Sequence, residues 1–107
     1  ALQDGAIKKL MDELRDNPGD AELHFRLGAI YEDQQVWERA LNEYQNTIKL
    51  DPKFALAYFR AARVLDRMLR ADETVQMCQR FIDIVRDIKY EKQKRWCINR
   101  VKELQFR

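Results

Sequence analysis

The sequence predicts an all-α protein of about six helices, stacked as antiparallel pairs into a solenoid. Three observations predict it. Apolar residues recur three and four positions apart, the chain resembles itself at a period of 34 residues, and chain breakers are scarce. Only 3 Gly and 2 Pro interrupt 107 residues, too few for a sheet protein built on tight turns. Hydrophobic residues at 46% against 36% charged suit a folded chain better than a disordered one. The length fits one domain, residues 1–107, with a modest core.

The period of 34 rests on several series in one register. Pro18 and Pro52 are 34 apart, and Phe25-Arg26 returns as Phe59-Arg60. Ala6, Ala40 and Thr74 step by 34 twice, as do Leu10, Tyr44 and Cys78, and Leu14, Ile48 and Ile82.

Each helix has its own justification. The first, near 4–15, carries Ala6, Ile7, Leu10 and Leu14 on one face and stops at Asn17-Pro18-Gly19-Asp20. Gly19 suits the turn, Asp20 can cap the next helix, and Glu22 complements its N-terminus. The second, near 21–34, places His24, Leu27, Ile30 and Tyr31 on one face. The third, near 37–50, does so with Leu41, Tyr44 and Ile48. Asp51-Pro52 is expected to start the fourth, near 54–69, with Asp51 as cap and Pro52 at the first helical position. The fifth, near 71–87, presents Thr74, Cys78 and Phe81. The sixth, near 89–105, has a narrow stripe of Tyr90, Cys97, Val101 and Leu104, as a terminal cap needs. Short connections force sequential helices to run antiparallel.

Residues 21–52 resemble one tetratricopeptide repeat, through His24, Leu27-Gly28, Tyr31, Trp37, Ala40, Tyr44, Thr47 and Pro52. Gly28 and Ala40 would let the helices approach closely while Tyr31 and Tyr44 fill the gaps. Residues 55–86 resemble a second, degenerate repeat: Tyr58, Ala61-Ala62, Leu65, Thr74, Cys78, Phe81. There Cys78 replaces the aromatic, Phe81 is large where a small residue is usual, and Arg86 stands for the Pro, so wider packing is expected. Residues 4–18 resemble a lone second helix of a repeat, either a natural cap or a boundary cut there. Residues 89–107 fit no repeat and read as a basic capping helix. The resemblance implies a right-handed superhelical solenoid of the tetratricopeptide type.

The resemblance also implies that the first helices of the repeats line a concave groove that grips a partner protein or peptide. The groove positions would be Glu22, Phe25, Ala29, Glu32 and Asp33, then Leu56, Phe59, Arg63, Asp66 and Arg67. Phe25 and Phe59 either anchor a ligand side chain or tuck against neighbouring helices. Residues 1–88 hold 13 basic and 16 acidic residues, whereas 89–107 hold 7 and 2. A ligand could therefore lie with an acidic end toward Arg63, Arg67 and Arg100, unless internal pairs such as Asp66 with Arg63 quench the charge. The family's clamp for a chaperone C-terminal carboxylate needs Lys and Asn where this chain has Phe25, Ala29 and Arg60, so that role is rejected.

Other readings are weaker. Self-association could use the N-terminal end or Trp96, which lies off the stripe of the last helix. Lys89, Lys92, Lys94, Arg95 and Arg100 surround Tyr90 and Trp96, a composition able to hold RNA, but it more often marks a wet helix face. His24 reads as a packing histidine, no nucleophile pairs with it, and there is no phosphate loop, so no enzyme and no cofactor are expected. One His and two Cys are too few for a structural zinc site. Cys78 and Cys97 read as buried thiols of a reduced, cytoplasmic setting, close enough that a bond between them stays open. No run reaches the roughly 18 apolar residues of a membrane span.

Overall fold

The computed structural model describes residues 2–106. Six helices follow one another: α1 (Leu2–Asp16), α2 (Ala21–Asp33), α3 (Trp37–Leu50), α4 (Ala55–Arg67), α5 (Ala71–Ile84) and α6 (Glu91–Gln105). Among the described residues there is no strand, and a single 3-10 turn, Ile88–Tyr90, precedes α6. Sequential helices pack on each other in series, the arrangement of a tetratricopeptide-type solenoid.

The α2–α3 pair closes where Gly28 meets Tyr44. A Cβ on Gly28 would lie 2.8 Å from Tyr44 Cε1, so any side chain there displaces a ring that is fully buried. Ala40, Ala57, Ala61 and Ala62 are likewise without exposure and keep their helices close. The two buried threonines satisfy their hydroxyls locally. Thr47 donates to the Glu43 carbonyl at 2.9 Å and Thr74 to the Arg70 carbonyl at 2.8 Å.

The large residue on the first helix of each pair is tied to the preceding turn. His24 Nε2 lies 3.0 Å from the Pro18 carbonyl, and Tyr58, 34 residues on, donates its hydroxyl to the Pro52 carbonyl at 2.7 Å. His24 Nδ1 faces a Glu43 carboxylate oxygen at 3.2 Å. A histidine with both nitrogens engaged inside the fold is a packing element.

Two helix ends differ from expectation. Asp20 caps α2 by accepting from the Glu22 and Leu23 amides, but Asp51 does not cap α4. Asp51 Oδ1 accepts from the Lys53 amide at 3.1 Å, a local turn, and α4 begins at Ala55 behind Phe54. Aspartate bonds its own neighbouring amide as readily as a helix end, and Phe54 is instead held by stacking on Phe25 at 4.8 Å between centroids. The fifth helix stops at Ile84 instead of near 87. Val85 is extended and buried, and Asp87 accepts from the Lys89 amide to start the 3-10 turn. No Gly or Pro marks this stop, so the apolar period ran past it.

The turns α2–α3 and α4–α5 use the same device. Gln35 and Leu69, 34 apart, both adopt left-handed backbone at φ 61° and 60°. Leu69 is 89% exposed, so burial offsets none of its conformational cost.

Candidate functional site

The helices α2, α4 and α6 stand side by side and are bridged by ion pairs. Glu32 on α2 faces Arg60 at 3.4 Å and Arg63 at 3.8 Å on α4. One repeat later, Asp66 on α4 faces Arg100 on α6 at 2.9 Å. An acid near the end of α2 and of α4 thus reaches an arginine on α4 and on α6, respectively. These ion pairs tie α2, α4 and α6 along one side of the stack.

Several expected groove residues are structural. Glu32 is only 13% exposed at its side chain and accepts from the Tyr44 hydroxyl at 2.6 Å. Burial, then this bond to the carboxylate, pushes the Tyr44 phenol well above its ordinary value of 10.0. Phe59 is buried at 8% exposure, between Phe81 at 5.7 Å and Trp96 at 5.7 Å. Phe25 packs against Tyr44 and Phe54, under the Arg60 guanidinium. Both repeated phenylalanines therefore pack against neighbouring helices. A period of 34 locates their face but not the later helix that covers it.

Charge partners also differ from those expected. Asp66 pairs with Arg100 and not with Arg63, and Arg100 is further held by Glu103 at 2.6 Å. Arg100 therefore faces its own chain's carboxylates. Trp96 sets its ring edge-on to Phe59 at 86° and is half-buried. It covers Phe59 with one edge and lines the α4–α6 cleft.

What the fold brings together is a cleft of about 540 Å³ between α4 and α6. Phe59 and Trp96 form its floor, and Arg63, Arg67 and Lys92 its basic rim. Asp66 and Gln93 complete the wall. Of the expected residues, Phe59, Arg63, Asp66, Arg67 and Trp96 meet here. Glu22, Phe25, Ala29, Asp33 and Leu56 do not line this cleft. Glu22 pairs with Arg26, Asp33 accepts from Gln3, and Ala29 and Leu56 are half-buried. Gln93 had no signal in the sequence, and Lys92 stood only as one of a basic run.

The two thiols, Cys78 and Cys97, are free, buried and in contact. The hydrogen bond that the Cys97 thiol makes to Cys78, then burial, pushes the Cys97 thiol above its ordinary 9.0. Among the described residues no group of three or more His, Cys, Asp or Glu is placed to hold a metal ion. Among them, too, no helix is long and apolar enough to cross a membrane.

No family model matches this sequence. Solved structures do match its fold. The chain is similar to the type III secretion chaperone SycD of Yersinia enterocolitica, in complex with a peptide of the translocator YopD. The TM-score is 0.86 at 14% identity, over 98% of this chain and 84% of that one. It is also similar to the TPR2B domain of yeast Sti1 in its pHsp70 complex, with TM-score 0.80 and 17% identity over 95% and 82% of the chains. MamA protein matches at TM-score 0.73 and 21% identity, over 94% of this chain and 61% of that one. The fold is of the tetratricopeptide-repeat type. At these identities the likeness carries the architecture and not the ligand.

Proposed function

We propose that this chain is a non-catalytic interaction module, a scaffold or adaptor that holds a segment of a partner protein along α2, α4 and α6. The observation that carries the reading is the α4–α6 cleft, where two aromatic rings lie among basic side chains. Support comes also from similar folds, SycD solved with a peptide of the translocator YopD and the Sti1 TPR2B domain in its pHsp70 complex. An acidic end of the segment would lie toward Arg63 and Arg67. The perturbed groups Tyr44 and Cys97 lie in the core and not in the cleft, which speaks against catalysis. A cytoplasmic setting, where Cys78 and Cys97 would stay reduced, goes with this reading.

Self-association is the lesser reading, although α1 exposes Met11. The outer side of α1 presents Lys8, Lys9, Asp12 and Glu13, and Trp96 is turned onto Phe59. Nucleic acid is disfavoured because Asp66 and Glu103 interrupt the basic side of α6.

Affinity capture from the source cell's lysate tests the reading, using the intact chain beside its Arg63→Glu/Arg67→Glu variant. A protein held by the first and depleted about tenfold with the second is expected. Equal retention by both chains would move binding away from this face, and concentration-dependent mass would then decide for self-association.

A further inference from the structure

Resting on the peptide-binding reading, we infer that the α4–α6 cleft is the specificity pocket, taking an acidic side chain next to an apolar one in an extended peptide. The charge balance points to the acid. Arg60 and Arg63 face Glu32, and Arg100 is held by Asp66 and Glu103. Arg67 and Lys92, on opposite sides of the cleft, have no carboxylate partner among the described residues, and both are exposed. Asp66 Oδ1 accepts from Arg100 at 2.9 Å, so the only acid in the wall is already engaged. The uncompensated charge of the cleft is positive.

The arginine is also pre-positioned. The Arg67 guanidinium lies over the Trp37 ring at 5.8 Å, and Arg63 lies over Phe59 at 5.7 Å. Ring faces that hold a cation in place reduce the ordering cost when a carboxylate arrives. The apolar half of the preference comes from the floor. Phe59 and Trp96 meet edge to face and leave an aromatic surface below the cations.

A third observation is the side chain of Gln93. Its Oε1 is buried in the cleft wall with no hydrogen-bond partner among the described residues. A buried acceptor without a donor is costly. A ligand main-chain N–H, met by rotation of the terminal amide, would satisfy it. An acidic peptide has all three complements: carboxylate, apolar side chain and amide donor. A nucleic acid would bring phosphate and a ring but repel the adjoining Asp66 and Glu103.

The test selects a random library of short, end-blocked peptides on the intact chain and on its Arg67→Glu/Lys92→Glu variant. Wild type is expected to enrich Asp or Glu beside Phe, Trp, Leu or Met. The reversal should weaken those peptides at least about tenfold and shift enrichment to Lys and Arg. Neither substituted side chain has an ion pair to lose, and circular dichroism of the variant checks its fold. Gln93→Leu gives an independent readout: a thermal midpoint higher by a few degrees, with affinity lower by about fivefold. A merely structural glutamine would not move these two quantities in opposite senses.

Enrichment without acidic residues, or enrichment that survives the reversal, would overturn the cleft assignment and leave peptide binding elsewhere intact. Selection of no peptide at all would overturn both. Displacement of the selected peptides by an oligouridylate at equal concentration would assign the cleft to nucleic acid and overturn the proposal.

Discussion

The α2–α3 and α4–α5 pairs fill equivalent space with the large and small residues exchanged. In α3 the buried ring is Tyr44 and the small partner three residues on is Thr47. In α5 the small residue, Cys78, comes first and the ring, Phe81, follows. All four are without exposure. The two departures at Cys78 and Phe81 exchange a large and a small residue and leave both positions closed to solvent, as expected where a core is constrained by summed volume more than by each position. The facing helix follows the exchange. Gly28 stands against Tyr44, whereas the equivalent position, Ala62, has room for a methyl where Cys78 replaces the tyrosine.

The exchange also redirects each pair's outward links. Tyr44 ends in a hydroxyl that reaches Glu32, and through it Arg60 on α4. Phe81 has no polar end and instead contacts Phe59 and Tyr90, which lead to Trp96 and the cleft floor. The first pair is joined to its neighbour by a partly buried polar network, the second by aromatic packing.

The largest break in this comparison should come from Phe81→Ala, costing about 3–5 kcal/mol because a fully buried ring leaves a cavity. Urea unfolding measures it. The same variant should bind selected peptides more weakly even where it remains folded, since Phe59 and Trp96 lose their support.

Tyr44→Phe should cost less, about 1.5–2 kcal/mol, for one hydrogen bond to a carboxylate. It also has a pH signature. The folded-state phenol is raised above its ordinary 10.0, so its contribution is complete below that pH and declines as pH rises beyond it. Cys97, raised above 9.0, adds a loss that starts about one unit lower. Wild-type stability should therefore fall in alkali, and Tyr44→Phe should flatten the part above pH 10. Identical slopes for the two chains would remove Tyr44 from the account.

The smallest effect sharpens the size matching. Gly28→Ala should lose about 1 kcal/mol net, an overpacking cost partly offset by the better helix propensity of Ala. A Gly28→Ala/Tyr44→Cys double variant, which imitates the second pair, should suffer no added cost from the alanine. Additive losses in that cycle would show that the two positions are not coupled.

Much of the architecture was legible because its signals are local and repeated. The period of 34, the faces of α2 to α5 and the Leu27-Gly28 contact followed from spacing and residue size. Asp51 and the end of α5 were misread because an Asx turn and a buried extended Val85 compete with helix in ways that spacing does not register.

The cleft was only half legible. Phe59, Arg63, Asp66 and Arg67 stood out on α4, but what they face is decided by α6, whose weak apolar stripe concealed the roles of Trp96, Lys92 and Gln93. The sequence by itself determined the helices, their faces and their antiparallel stacking, since hydrophobic periodicity and short connections act within a few turns of chain. Only the tertiary structure decided which arginines are neutralised, which rings are covered and where positive charge remains. Those outcomes depend on distances between side chains some 30 residues apart, such as Asp66 and Arg100, and no local pattern encodes them.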